Sequence, residues 1–269
     1  MTNWEIEKVQ LDAYLARIGH PRVQPSAAAL GSLHAAHVAA IPFENVDVIL
    51  RQHPGITLDA IAAKLIGRRR GGYCYEHGLL FAAALEQLGF TVHRRQARVQ
   101  PHRNGPRTHM MLHVATEAGA YLADVGFGAG MMHAMPLTDG AIVNQAGWPH
   151  RLDLEDTPTG PAWTLSKQTP DGWEPQHRHD LQPQRLIDYE VSHHYVSSHP
   201  DSPFSHKLVV MRLEEGLSRR LIGNELTHEY ADGRRKTETV RATDLPDVLA
   251  SLDVELTSAE ARAISQLEV

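Results

Sequence analysis

The chain changes its hydrophobic period at two places. From Trp4 to Gly89 the apolar positions recur at helical spacing. Trp4, Ile6, Val9, Leu11, Tyr14, Leu15 and Ile18 form one run, closed by Gly19-His20-Pro21. A second runs from Ala28 through Leu30, Leu33 and His37 to Ala40. It begins after Pro25-Ser26 and stops at Ile41-Pro42, because proline pushes the residue before it out of helical geometry. Residues 43–48 read as irregular or extended, and 58–65 as a short helix capped by Thr57. The alanine-rich run from Leu79 to Leu88 is a helix that stops at Gly89.

Beyond Gly89 the period becomes two. Residues 90–99 predict a strand and 101–106 a loop. The stretch 109–116 alternates, with Met110, Leu112 and Val114 on one face and His109, Met111 and His113 on the other. Glu117-Ala118-Gly119 turns the chain, residues 121–125 return as the second arm of a hairpin, and Gly126-Phe127-Gly128-Ala129-Gly130 ends it. Further strands are expected at 150–155, 161–168 and 172–178, giving an antiparallel sheet or barrel. Residues 184–196 are helical again, and a proline-bounded connection follows up to Phe204. Short strands at 206–212, 217–223, 226–230 and 234–240 precede helices at 244–252 and 258–267. Three units result: helical 1–89, β-rich 90–200 and mixed 201–269. There is no internal repeat.

Composition narrows the class of protein. The chain is 42% hydrophobic and 22% charged, as in ordinary globular domains. A net charge of −6 carries no nucleic-acid footprint. No apolar run approaches the roughly 18 residues of a membrane helix. The opening from Met1 to Lys8 has no basic flank leading into an apolar core, so no secretory leader is expected. The single cysteine, Cys74, excludes an internal disulfide and fits a reducing compartment, so the cytoplasm is the expected location.

That cysteine lies in Arg70-Gly71-Gly72-Tyr73-Cys74-Tyr75-Glu76, directly before the alanine-rich helix. A helix N-terminus favours a thiolate, which makes Cys74 a candidate nucleophile. The paired glycines allow a tight turn and let a ligand approach the backbone. A thiol nucleophile needs an imidazole to take its proton and a carboxylate to orient that imidazole. The 109–125 hairpin supplies His109, His113 and Asp124. A two-residue turn at Ala118-Gly119 sets His113 across from Asp124, and a register tighter by four sets His109 there. Both keep imidazole and carboxylate on one face, so spacing leaves the choice open, with the simplest turn favouring His113.

Eighteen histidines raise the question of a metal. His109 and His113 have helical ligand spacing but lie in a strand pattern, and His177, His179, His193 and His194 lack nearby carboxylate or cysteine clusters. They read as solvated surface residues, and no metal is expected. Arg94, Arg95, Arg98, Arg103 and Arg107 read as a solvated strand face rather than a phosphate site.

Five stretches resemble the arylamine N-acetyltransferase family: Ile41-Pro42-Phe43-Glu44-Asn45, the Cys74 motif, Thr108-His109 with Leu112 and Val114, Asp124-Val125-Gly126-Phe127-Gly128, and Ser198-His199-Pro200-Asp201-Ser202-Pro203-Phe204. The resemblance implies an α+β, papain-like or transglutaminase-like cysteine-triad fold: an N-terminal helical bundle, a central antiparallel β-barrel and a C-terminal α/β lid. It implies a Cys74–His109–Asp124 triad and selects His109 over His113, with the tighter hairpin. It implies ping-pong transfer from acetyl-CoA, with no permanently bound cofactor, to an arylamine, hydrazine or N-hydroxyarylamine, as in xenobiotic metabolism. Phe43, Phe127 and Phe204 would line the acceptor slot, and Gly126 and Gly128 would face the coenzyme. The alternatives are an amide synthase closing a macrocyclic polyketide and a cysteine-triad hydrolase or transglutaminase-like enzyme, which share the triad but differ in the substrate site.

Overall fold

Ser26 starts the first long helix by accepting the Ala29 N–H at 3.0 Å, in a computed structural model that describes residues 4–103 and 105–267. Met1, Thr2 and Asn3, the first residues of the stretch read for a leader, lie outside the described residues, as does Asn104 in the 101–106 loop. That helix, α2 (Ala27–Ala40), follows α1 (Leu11–Ile18), which Gly19 closes with a φ of 66°. The stretch after Pro42 is more structured than its pattern shows: β1 (Phe43–Glu44) is followed by α3 (Val46–Ile49). Next come α4 (Leu58–Ala62), capped by Thr57, and α5 (Cys74–Gln87). Every residue of α5 from Cys74 to Leu85 is buried. A helix buried all round must be central, and α5 is the element the others pack upon.

The second unit is an antiparallel sheet of β2 (Thr91–Val99), β3 (Arg107–Thr116), β4 (Gly119–Ala123), β5 (Met135–Pro136), β6 (Ala141–Gln145), β7 (Trp148–Thr157), β8 (Gly160–Thr169) and β9 (Gly172–His179). The strand order is β5-β4-β3-β2-β9-β8-β7-β6, and the two edges, β5 and β6, lie alongside each other, which nearly closes a barrel. Both faces of β3 are buried. Met110, Leu112 and Val114 join the core around α5, whereas Met111 joins Leu122, Leu152 and Leu165 inside the barrel.

The hairpin takes neither expected register. Its two-residue turn is Glu117-Ala118, with Thr116 opposite Gly119 and His113 opposite Leu122. One step further along sets Asp124 level with Met111, between His109 and His113. The two differ from the expected registers by an even number, so the shared face survives.

After α6 (Leu186–Ser198), the chain adds β10 (Val209–Glu214), β11 (Leu217–Ile222), β12 (Glu225–Tyr230) and β13 (Arg235–Thr239). α7 (Leu245–Ser251) and α8 (Ser258–Ile264) cover this sheet, burying Leu245, Leu249 and Ile264 against Val210, Leu221 and Leu226. Its fifth strand is β1: Phe43 pairs with Met211 and Glu44 with Val210. The N-terminal segment is thus stitched into the C-terminal sheet. No helix among the described residues is long and apolar enough to cross a membrane.

Candidate active site

Cys74 is the first residue of α5, and the turn before it is fixed from below. Glu76, at the third helical position, accepts the Tyr73 N–H at 3.1 Å, closing one half of a capping box. Lys64 Nζ lies 2.9 Å from Glu76 and His53 Nε2 lies 3.4 Å from it. Burial pushes the Glu76 carboxyl up, but the Lys64 charge and the His53 bond hold it at about 2. Beside it, the fully buried Arg70 guanidinium contacts Glu44 at 2.9 Å, and Asp47 and Glu260 at 3.1 Å.

The paired glycines do not serve a ligand, as their sequence context suggested. A Cβ on Gly71 would stand 2.1 Å from the Pro42 carbonyl oxygen, and one on Gly72 would stand 2.7 Å from Glu76 Oε2. The chain's own backbone and side chains occupy the space. Gly71→Ala is therefore expected to lower the melting temperature steeply and to reduce soluble yield, because the obstructing atom is backbone and cannot swing aside. A wild-type melting temperature in thermal denaturation would refute this.

Above the turn, β3 and the end of β4 deliver the other two groups. His109 Nε2 donates to Asp124 Oδ2 at 2.7 Å, and both side chains are almost wholly buried. Asp124 follows the last residue of β4, and its own N–H donates to His34 Nε2 at 3.1 Å. The next turn presses on the cysteine: a Cβ on Gly126 would lie 2.8 Å from Cys74 Cα. The Cys74 thiol points to the Thr108 carbonyl at 3.7 Å. Burial opposes a charge on His109, yet Asp124, by charge and hydrogen bond, together with the Cys74 contact, holds the imidazole up at about 10. Burial likewise opposes the Asp124 charge, and His109 more than offsets it, so the carboxyl lies far below its ordinary range.

These groups open onto a cavity of about 420 Å³. Cys74, His109, Gly126, Gly128, Phe43, Phe127 and Phe204 all line it. Phe127 sets its edge on His109 with centroids 5.0 Å apart, and Phe43 lies 6.0 Å from Phe204. Gly128 has a φ of 65°, and Met211 Sδ would stand 2.6 Å from its Cβ, so backbone is all that fits there.

Several expectations are corrected. His113 faces His179 at 2.7 Å, deeper in the barrel, and does not reach the carboxylate; burial pushes it down to about 3. His177 and His179 are 0% and 3% exposed, not solvated. Their every-other-residue spacing turns both inward, where His177 Nε2 lies 3.4 Å from Asp124. His109, Asp124 and His177 each bring a metal-ligating atom within 4.8 Å of the others, a cluster the spacing did not disclose. His193 bonds the Tyr73 hydroxyl and lies partly buried, whereas His194 is exposed. Arg94 is no solvated face: it forks onto Glu86 at 2.8 and 2.7 Å and lies over the Trp4 ring. Arg107 pairs with Asp180. The ion network of Glu44, Asp47, Lys64, Arg70 and Glu76 has no signal in the sequence pattern, and tyrosine at the N-cap position hides the Glu76 contact, because a capping box is marked by serine or threonine there.

A sequence profile of the N-acetyltransferase family matches residues 26–260. The arylamine N-acetyltransferase of Mycolicibacterium smegmatis is 36% identical over 254 residues, 91% of this chain and 90% of the relative. The crystal structure of the Nocardia farcinica arylamine N-acetyltransferase superposes with a TM-score of 0.92 at 35% identity, covering 99% of this chain and 97% of that one. The Mycobacterium marinum arylamine N-acetyltransferase in complex with CoA superposes with a TM-score of 0.84 at 28% identity, covering 95% and 98%.

Proposed function

The chain belongs to the arylamine N-acetyltransferase family, and from that premise we propose that Cys74, His109 and Asp124 carry out its acetyl transfer. The reaction takes acetyl-CoA as co-substrate and an arylamine, arylhydrazine or N-hydroxyarylamine as acceptor. The observation that carries the proposed roles is the 2.7 Å His109–Asp124 bond beside the thiol at the floor of one cavity. Since His109 Nε2–H is committed to Asp124, Nδ1 is left for the Cys74 proton. The thiol passes its proton to Nδ1, and the sulfur attacks the thioester carbonyl. The tetrahedral intermediate collapses, the C–S bond to the coenzyme breaks, and His109 returns the proton to the departing CoA thiolate. Acetyl-Cys74 remains. The amine attacks it, His109 takes the N–H proton, and the thiol is restored as the acyl–sulfur bond breaks.

Asp124 stabilises the imidazolium in both halves. The Cys74 N–H, at the first helical position, has no intrahelical acceptor and is suited to the oxyanion. Aromatic amines are weak bases and reach the site neutral at pH 7, ready to attack. Phe43, Phe127 and Phe204 provide apolar walls for the acceptor ring, and Gly126 and Gly128 expose backbone to the coenzyme arm. A cytoplasmic site of action suits a free thiol nucleophile that must stay reduced, and work on xenobiotic amines is part of the same proposal.

The test is direct. Acetyl-CoA without acceptor should acetylate the Cys74 peptide, seen by mass spectrometry, with release of one CoA per chain. Addition of an arylamine should then clear the label. Acetyl transfer that persists in Cys74→Ala would end the proposal.

A further inference from the structure

We infer that His177 is a positioning residue for this reaction: its Nε2–H engages the same Asp124 oxygen as His109 and fixes the plane of that carboxylate. His177 lies on β9, beside Val99 of β2 and Leu165 of β8, and faces the barrel interior. It is 0% exposed. Neither of its ring nitrogens has a hydrogen-bond partner of normal geometry among the described residues. Nε2 is 3.4 Å from Asp124 Oδ2, the oxygen that accepts from His109 at 2.7 Å, and a small ring rotation closes the gap. Buried polar groups are kept where they find partners, and Asp124 is the acceptor within reach.

Asp124 needs the second donor as much as His177 needs an acceptor. Its carboxylate is sealed from water and its Oδ1 has no partner among the described residues, so the group is held through Oδ2 alone, where His109 and His177 converge. One imidazole alone leaves a buried carboxylate free to swivel about its Cα–Cβ and Cβ–Cγ bonds. A second imidazole on another strand triangulates it. Phe127 sets an edge against both rings, with centroids 5.0 Å from His109 and 5.2 Å from His177. The two imidazoles also divide the charge. Burial pushes His177 down, and Asp124 offsets that only in part, while His109 is held up at about 10. The neutral ring gives a hydrogen bond without competing for the proton that the reaction moves. The titratable neighbours are Cys74 from α5, His34 from α2, His109 and His113 from β3, His150 from β7 and His179 from β9; of the five imidazoles, only His109 is pushed upward.

The inference rests on the Cys74–His109–Asp124 proposal and fails separately from it. The experiment is single-turnover acetylation of Cys74 by acetyl-CoA across pH, in wild type, His177→Phe and His177→Gln, with Asp124→Asn as the control. Phenylalanine fills the space without a donor, and glutamine restores an N–H near the Nε2 position. His177→Phe should acetylate about tenfold more slowly, equivalent to one unit of lost charge stabilisation, at unchanged KM for acetyl-CoA. Its acid limb should move to higher pH, because Asp124 then holds a proton more readily. His177→Gln should recover most of the rate.

A folded His177→Phe with wild-type rate and pH profile overturns the inference. So does equal slowing of both variants, which marks a packing role. One zinc per chain in the purified wild-type protein, removable by chelator, would also overturn it and assign the cluster to a metal. If His177→Phe does not fold, nitrogen-15 spectra of the wild type decide. An Nε2–H signal of His177 that moves in Asp124→Asn supports the bond, and an Nδ1–H tautomer refutes it. Unimpaired transfer in Asp124→Asn would instead sink the triad proposal beneath it.

Discussion

The Asp124→Asn substitution will slow acetyl transfer by about four orders of magnitude, the loss seen when the carboxylate of a nucleophile–imidazole–carboxylate array becomes an amide. Shape is nearly unchanged, and charge and tautomer are not. If the introduced amide oxygen accepts from His109, no negative charge remains to hold the imidazolium, and burial alone then governs the ring and pushes it down. If the amide NH2 donates instead, it forces the proton onto Nδ1, where it blocks the Cys74 hydrogen. The thiol faces a weakened base in the first case and a blocked one in the second. Rapid-quench acetylation of Cys74 measures the effect without the acceptor step. A loss of less than tenfold would remove Asp124 from the mechanism.

The same substitution has a signature in stability. His109 is raised from 6.5 to about 10 on folding, so its contribution is complete below pH 6.5 and disappears as the pH climbs through about 10. Asp124 is lowered, so its contribution is present above its unfolded value and is lost in acid. Denaturant unfolding of the wild type should therefore show stability falling on the alkaline side of 6.5, and Asp124→Asn should flatten that slope.

What the sequence disclosed follows from which physical signals are local. The helix of Cys74 was legible because its apolar run and its stop at Gly89, with a φ of 96°, lie within a few turns. That His109 and Asp124 share a face was legible because a period of two tolerates any even slip. The register was not, because Gly119 begins β4 and the turn sits one residue earlier, at Glu117-Ala118. The inward histidines escaped because a polar residue alternating in a strand is the ordinary mark of a wet face. Only barrel closure, which no local window records, turns that face into an interior. β1 escaped for a related reason: two residues carry no period, and its partner β10 lies far along the chain, in the register that joins Phe43 to Met211. The ion network under the nucleophile turn left no local signal, because Glu44, Asp47 and Glu260 converge on Lys64 and Arg70 from distant stretches of the chain.

Replacing Arg70 with methionine, the second large effect, is expected to destabilise the protein by about 3–5 kcal/mol, or to lower the melting temperature by about 10 °C. Arg70 is fully buried and bonds Glu44, Asp47 and Glu260 together. Methionine fills most of the volume and removes the charge. Lys64 then remains as the buried cation for Glu44, Asp47 and Glu76, which it meets at 4.0, 3.2 and 2.9 Å. The loss comes from carboxylates left buried and under-compensated more than from the bonds themselves. Two consequences follow that a simple packing defect does not share. Arg70→Lys should recover little, because an ammonium cannot fork to three carboxylates. Arg70→Met combined with Glu44→Gln should be more stable than Arg70→Met alone, because the second change removes a stranded charge. Thermal denaturation of the three variants measures all of this, and a double variant less stable than the single one would show that the cost lies elsewhere. Because Arg70 stands just before the Cys74 turn and Glu44 directly follows Phe43 in β1, the same network ties the nucleophile turn to the C-terminal sheet. Loosening it should widen the cavity floor and slow Cys74 acetylation even at temperatures where the fold persists.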